Sequence, residues 1–440
     1  MIYDKSQFTE LFKNGCKSKE NFRIGLEFEK LAVDSKSYRA VPYSGEKGIN
    51  CFLSGYKAFS EMEEVIINDN LLGLKEEFAY ISLEPGCQTE ISTYPYKKIS
   101  EIASKIEEYN QKTAIIGEKL GIDWIGYGIQ PVSTFDDIKI IPKKRYEIMT
   151  EYLPKKGDKA LVMMRETAGI QTSIDYESEE DAVNKIRVSL AISPIITAMF
   201  ANSPIRGGKE TGYKSYRASA WLNTDNDRCG LISKKIFEKD FSFADYAEYL
   251  LDVPMFFIER NNAIINATHL TFREFYNNGL SEFTANIDDW DLHMSTVFPD
   301  VRLKNFIEIR NCDCQRKDMI FALPAMVKGI LYNETAMYHA WDLVKDFSWH
   351  ELEEIRHSVP KLGLETTVKG IKIADLAKEL VNIAEFSLLS DPETVEETVY
   401  LEKLKELVEQ EKTPADIILK NWNSGWNKNI EKLIEYSKLN

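Results

Sequence analysis

The run Ile81-Ser-Leu-Glu-Pro-Gly-Cys-Gln-Thr-Glu-Ile-Ser-Thr93 sets Ser82, Glu84, Gln88, Glu90 and Ser92 at even positions. In an extended chain successive side chains point to opposite faces, so Glu84, Gln88 and Glu90 are expected to line one surface. Pro85-Gly86 interrupts the run, and a bulge there would re-aim Glu84 against the other two. Two carboxylates and an amide on a buried strand face are costly unless a cation compensates them. On the outer face of an edge strand the same groups are merely solvated.

The pattern recurs, and the recurrence favours the buried reading. Arg23-Ile-Gly-Leu-Glu-Phe-Glu29 places Arg23, Glu27 and Glu29 on one face and Ile24, Leu26 and Phe28 on the other. Ile170-Gln-Thr-Ser-Ile-Asp175 aligns Gln171, Ser173 and Asp175, and Phe306-Ile-Glu-Ile-Arg310 sets Glu308 with Arg310 over Ile307 and Ile309. Strands with an apolar back and a polar front predict an α+β fold. Its curved antiparallel sheet forms a polar trough with helices on the outside. Hard cations such as Mg²⁺ take oxygen ligands, which such a trough supplies.

The rest of the chain reads as support. Its 440 residues, 44% hydrophobic and 28% charged, are ordinary for a globular protein. Fifty-five Lys and Arg against 70 acidic residues give a net charge of −15 and no basic block, which disfavours nucleic acid as a partner. Met1 to Lys5 lacks the layout of a signal peptide. Val188 to Ala201 is the most apolar run, shorter than a membrane span and read as a buried helix, so no membrane partner is expected. Six scattered cysteines and five histidines show no zinc spacing, and reduced thiols in a cytoplasm are expected.

In chain order, Ser6 to Gly15 reads as a short amphipathic helix and Ser44 to Gly55 as a mobile loop. Asn70 to Lys75 and Ala79 to Thr93 read as a hairpin. Ile99 to Leu120 is a helix with Ile99, Ile102, Ile106, Tyr109 and Ile115 on one face and Gly121 as its stop. Lys143-Lys144-Arg145 reads as a solvated turn, with phosphate contact as the alternative. Ser178 starts a helix through a capping-box pattern, and Gly207 to Gly230 is a long polar, functional loop. In that loop Asp225-x-Asp227 lacks the remainder of a calcium loop. The expected organisation is a catalytic sheet with surrounding helices over 1–316 and a helical part over 317–440, packed as one unit.

Several segments together carry a resemblance: Arg23-Ile-Gly-Leu-Glu-Phe-Glu-Lys30, Leu83-Glu-Pro-Gly-Cys-Gln-Thr-Glu90, Gly126-Tyr-Gly-Ile-Gln-Pro131, Arg145-Tyr-Glu-Ile-Met149, Phe200-Ala-Asn-Ser-Pro204, Asp252-Val-Pro-Met255 and Phe298-Pro-Asp-Val-Arg-Leu-Lys304. In order and spacing the chain resembles the glutamate–cysteine ligases of the plant and proteobacterial type, carboxylate–amine ligases with a glutamine-synthetase-like fold. The resemblance implies Mg²⁺- and ATP-dependent amide formation between the γ-carboxylate of glutamate and the amine of cysteine; the chain is expected to act in the cytoplasm as a monomer or homodimer. By position it implies Glu27, Glu29, Glu84, Glu90 and Glu308 as metal-holding carboxylates. It implies Gln171, Glu308 and Arg302 on the nucleotide side, and Arg217, Trp221 and Thr167 on the substrate. Arg310 and Arg217 are implied in catalysis. Cys87 stands where the family has glycine, Ser173 where it has asparagine, and Phe28 where plant members have histidine; the cysteines of the plant regulatory disulfide are not matched. Rival readings are a ligase for another small amine, a phosphotransferase of related architecture, and a binding protein that has lost its metals.

Overall fold

In the computed structural model, which describes residues 4–59, 61–261 and 263–439, the sheet is assembled around β1 (Ile24–Asp34). Met1 to Tyr3, part of the leader reading, lie outside the described residues. The other strands of this sheet are β2 (Glu63–Ile67), β3 (Asn70–Lys75), β4 (Ala79–Leu83) and β5 (Thr89–Thr93). After them come β6 (Ile122–Ile125), β7 (Gly169–Ile174), β8 (Val301–Leu303) and β9 (Ile307–Asp313). Their order among the described residues is β8-β9-β7-β1-β5-β4-β3-β2, with β6 on the far half of β1, and every pairing is antiparallel.

The expected alternation holds along β1. Ile24, Leu26 and Phe28 are buried, while Glu27 and Glu29 on the opposite face are only partly so. Ile170 and Ile174 of β7, Ile307 and Ile309 of β9, and Ile81 and Ile91 of β4 and β5 continue the apolar back. Two long helices flank that sheet, Ile99–Leu120 packing on β1 and β6 and Glu179–Met199 on β8 and β9. The helix Ala322–Leu331 packs on β1 and β7. Glu179–Met199 is long and apolar enough by composition to cross a membrane, but it is 89% buried inside the fold, as a core helix is.

The opening run differs from its sequence reading. It is not one interrupted strand but the hairpin β4–β5, turned at Glu84-Pro85-Gly86-Cys87. Glu84 N–H donates to the Gln88 carbonyl (2.9 Å) and Cys87 N–H to the Glu84 carbonyl (3.0 Å). Proline fits the early corner, and Cys87 takes φ +69°, a left-handed conformation that glycine adopts more readily than a residue with a Cβ. Gly86 is obligatory for a different reason: a Cβ on it would stand 2.1 Å from the Arg165 carbonyl oxygen.

Other expectations are corrected by packing. The supposed mobile loop 44–55 contains the helix Ile49–Tyr56, whose Ile49, Phe52, Leu53 and Tyr56 are fully buried. Residues 5–14 form a 3₁₀ turn followed by a short α-helix, with Phe8 and Phe12 buried. The loop 207–230 holds the helix Tyr216–Leu222. After residue 317 the chain is mainly helical, apart from a small hairpin pairing Thr367–Val368 with Ile371–Lys372. The C-terminal end returns to the sheet region: Leu439 N–H donates to the Trp124 carbonyl (3.0 Å).

Candidate active site

The polar front of the sheet faces a cleft of about 900 Å³. Glu27 and Glu29 reach it from β1, Glu84 from the hairpin turn and Glu90 from β5. Gln171 of β7, with Thr167 just before that strand, lines it too. Arg302, Arg310, Arg217 and Trp221 complete the predicted residues on its wall.

Register explains the crowding of charge. Glu29 of β1 stands directly opposite Glu90 of β5, and Glu27 lies between Gln171 on one neighbouring strand and Ser92 on the other. Like charges directly across an antiparallel pair repel. Burial, with Glu27, Glu84 and Glu29 adding to it, pushes the Glu90 carboxyl well above the usual carboxylate range. Burial also raises Glu29 to about 7, although Arg217 pulls it down and its Oε2 accepts the Gly169 N–H at 2.5 Å. Glu27 is raised by burial and then by Glu308.

Glu308 is set apart from this group. Expected among the metal-holding carboxylates, it lies fully buried behind the cleft wall. Its Oε2 accepts Arg302 Nε (2.8 Å) and Arg310 Nη1 (2.5 Å), and Lys304 Nζ stands 3.5 Å from Oε1. Burial opposes its ionisation, but these three cations together hold it far below the usual range. Glu308 therefore fixes the two arginines whose heads line the cleft.

The arginine of the 207–230 segment is built in with equal care. Ser215 caps the helix Tyr216–Leu222 by accepting the Ala218 N–H (3.0 Å), and its own hydroxyl donates to Asp313 Oδ1 (2.7 Å). Ser203 Oγ donates to Asp313 Oδ2 (2.7 Å) and accepts the Arg217 N–H (3.1 Å). The Arg217 head lies over Gly169, where a Cβ would stand 2.5 Å from Nη2. Nη2 donates to the Arg310 carbonyl (3.2 Å), leaving Nε buried without a partner. The aspartates of the same segment are structural: Asp225 pairs with Arg228 and Asp227 with Lys156.

One residue read as part of a solvated turn belongs at the cleft. Of Lys143-Lys144-Arg145, only Lys144 is exposed. Arg145 lines the cleft with a buried, unpartnered Nε, and Lys143 donates to the Leu83 carbonyl (3.2 Å) beneath Glu84. The signal was present, since Arg145 opens one of the segments that carry the resemblance. Gln88 lines the cleft, but its amide is engaged, donating to the Met164 and Thr167 carbonyls and accepting the Gly86 N–H. Asp175 leaves the pattern because β7 ends before it; it binds Lys17 Nζ and the Arg23 N–H instead.

Among the described residues no group of three or more His, Cys, Asp or Glu side chains is already arranged to hold one metal ion. The donor set nevertheless suits Mg²⁺, which takes one or two carboxylates and completes its shell with water and phosphate oxygens. The Gln171 Oε1, buried and unpartnered beside Glu29, is a further oxygen of the right kind.

Glutamate–cysteine ligase family 2 matches residues 23–436, nearly the whole chain. The chain belongs to that family. It is 36% identical to the chloroplastic glutamate–cysteine ligase of Nicotiana tabacum over 98% of this chain and 82% of the relative. It is 35% identical to the chloroplastic glutamate–cysteine ligase B of Oryza sativa subsp. japonica, over 96% of this chain and 84% of that one. A crystal structure of the glutamate–cysteine ligase of Francisella tularensis in complex with AMP shares the fold, with a TM-score of 0.55 at 14% identity over 94% of this chain and 86% of that one. One expectation is overturned by these comparisons. The cytoplasmic placement conflicts with relatives that are named as chloroplast proteins.

Proposed function

We propose that the cleft joins the γ-carboxylate of glutamate to the amine of cysteine at the expense of ATP, giving γ-glutamylcysteine, ADP and phosphate. Glutamate–cysteine ligation is the reaction class of the family to which the chain belongs. The observation that carries the reading to these residues is the meeting of unpaired carboxylates and fixed arginines in one cleft.

A carboxylate is a poor electrophile and must first be activated. A γ-carboxylate oxygen of glutamate bonds to the γ-phosphorus of ATP as the bond to the β,γ-bridging oxygen breaks. The cysteine nitrogen then bonds to the acyl carbon, phosphate leaves, and the amine loses its proton. Arg310, held by Glu308, and Arg302 beside it present fixed positive charge to phosphoryl oxygens. Arg217 and Arg145 offer unused donors to substrate carboxylates. Thr167 and Trp221 shape the substrate side of the wall. Glu27, Glu29, Glu84 and Glu90 would hold Mg²⁺, which supplies charge compensation between phosphate oxygens and these carboxylates.

The reading extends to the organisation of the chain. We assign 1–316 to the catalytic sheet and its helices and 317–440 to a helical part packed on it as one unit, acting on small molecules as a monomer or homodimer. Packing of Ala322–Leu331 on β1 and β7 supports this assignment.

Phosphate release and product mass test the proposal, with ATP, Mg²⁺, glutamate and a panel of cysteine, 2-aminobutyrate, alanine, serine and ethanolamine. Cysteine and its near-isostere 2-aminobutyrate should lead. A better rate with ethanolamine, which lacks the α-carboxylate, replaces the acceptor and keeps the ligase. ADP formation without amide from any amine contradicts the ligase itself.

A further inference from the structure

The segment that leads into the Arg217 helix is held from outside the sheet, by the C-terminal part of the chain. At its start the Ala201 carbonyl accepts the Ala415 N–H (2.9 Å), from the first turn of the helix Pro414–Asn423. At its end the N–H groups of Lys214 and Ser215 both donate to the Pro360 carbonyl (2.9 Å each). Pro360 lies in the last turn of the helix Trp349–Leu362, where carbonyls lack intrahelical partners and accept from elsewhere. Ser203 N–H donates to the Lys214 carbonyl (3.1 Å), which closes the segment on itself. Two C-terminal helices therefore fix the stretch that runs into the Ser215 cap and Arg217.

The Lys214 side chain adds a further attachment. It is 8% exposed, and a buried ammonium needs partners. Its Nζ stands 2.8 Å from Asp416 Oδ1 and 2.9 Å from Glu365 Oε1. The two carboxylates are unequal. Glu365 is 69% exposed, and pairing with a solvated carboxylate adds little. Asp416 is more enclosed, and its other oxygen, Oδ2, caps its own helix by accepting the Thr413 N–H and hydroxyl (both 2.8 Å). The carboxylate that meets Lys214 is thus fixed independently of the lysine. The lysine stem is confined as well, since a Cβ on Gly363 would stand 2.8 Å from Lys214 Cδ. A glycine at the end of the helix Trp349–Leu362 makes room for it.

We propose that Lys214 is a positioning residue for Arg217, tying the C-terminal helices through Asp416 to the helix that presents the guanidinium to glutamate. This rests on the reading that Arg217 contacts a carboxylate of glutamate. Lys214 does not line the cleft, so its action is geometric. Arg217 follows three residues later, within one helical turn, and a tilt at residue 214 is carried to its head. Asp313 holds the Ser215 cap from the sheet side, and Lys214 holds the preceding residue from the C-terminal side. Hydrogen bonds weaken steeply with misalignment, so loosening one side weakens the glutamate contact. Arg302 and Arg310, on β8 and β9, are fixed by Glu308 instead, which leaves the ATP side independent of Lys214.

The test measures the KM for glutamate and for ATP in the full-length enzyme carrying Lys214→Met, which keeps the buried stem and removes the charge. The KM for glutamate should rise on the order of 3–10-fold, the scale for a residue that acts on a site without touching it. The KM for ATP should hold. In an Arg217→Lys background the same substitution should add little, because both changes act through one contact. Asp416→Asn keeps an acceptor for the helix cap and removes the charge facing Lys214. It should shift the glutamate KM the same way, and it carries the test if Lys214→Met does not fold. A merely structural lysine lowers the active fraction, hence kcat, and leaves both KM values alone; that result overturns the positioning role and spares the ligase reading. A fully additive rise in the Arg217→Lys background overturns it too, since the effect would not pass through Arg217. A wild type that makes no amide from glutamate and ATP overturns the ligase reading, and the positioning role with it.

Discussion

Two buried charge clusters in this protein are built on opposite terms. Arg228 and Asp225, 0% and 1% exposed, satisfy each other: Arg228 Nε donates to Asp225 Oδ2 (2.7 Å), and its other two nitrogens donate to the Thr296 and Pro254 carbonyls. On the front of the sheet, Glu29 faces Glu90 across two strands, and burial raises both carboxyls. The first cluster is complete without a ligand. The second is in a less favourable state than separate, solvated carboxylates, and its arginines keep unused donors. Charge that is fully paired holds the fold, whereas charge left unpaired in a cleft is available for binding and chemistry.

The comparison breaks first at Asp225. Asp225→Ala leaves the Arg228 guanidinium buried without its carboxylate and should cost about 3–5 kcal/mol of stability. Denaturant unfolding reads this, while the KM values of the folded remainder should not move. A variant with wild-type stability would remove the distinction between the clusters.

At the front the pattern should invert. Glu90→Gln should lower turnover by at least ~100-fold, the scale seen when one preorganised electrostatic contact is lost. Its thermal midpoint should stay level or rise, because repulsion with Glu29 is relieved. Near-full turnover would make Glu90 a passive wall residue.

A smaller effect is expected at Arg217, where charge is kept and geometry changed. Lysine cannot reproduce the planar donor fork. Arg217→Lys should raise the KM for glutamate roughly 10-fold or more, the scale of one charged hydrogen bond, with little change for ATP. An equal rise for both substrates would move Arg217 to the nucleotide side.

Much of the fold is legible in the sequence, and what is not depends on how distant segments pack together. The helix Ile99–Leu120 ends at Gly121, which takes φ +71° as a helix stop should. Yet Ile115, assigned to its buried face, is 47% exposed, and Ile116 packs inward because the 3.6-residue period carries the stripe there. The Gly- and Ser-rich stretch at 44–55 looked like a loop by composition, but Phe52 and Leu53 bury a helix face that composition alone does not reveal. At the site, period-2 alternation revealed Glu27, Glu29 and Glu90. Lys143 and Arg145 were missed because a basic triplet looks solvated until the hairpin turn at Glu84 is placed against it. Alternation could also not reveal that Glu308 is enclosed, since that depends on Arg302 from the next strand.

The claim that the unpaired front is poised for a cation is tested most directly by the Mg²⁺-dependent rise in thermal midpoint, with a non-hydrolysable ATP analogue, at pH 6 and pH 8. The Glu29 carboxyl titrates near 7 when folded, against an ordinary 4.5. Its proton therefore stabilises the free protein fully below 4.5, and that stabilisation is lost as pH rises through 7. A cation must displace the same proton, so it binds more tightly on the alkaline side. The account predicts a Mg²⁺-dependent rise that is clearly larger at pH 8 than at pH 6, and that is reduced in Glu90→Gln. No Mg²⁺-dependent rise at either pH would contradict it.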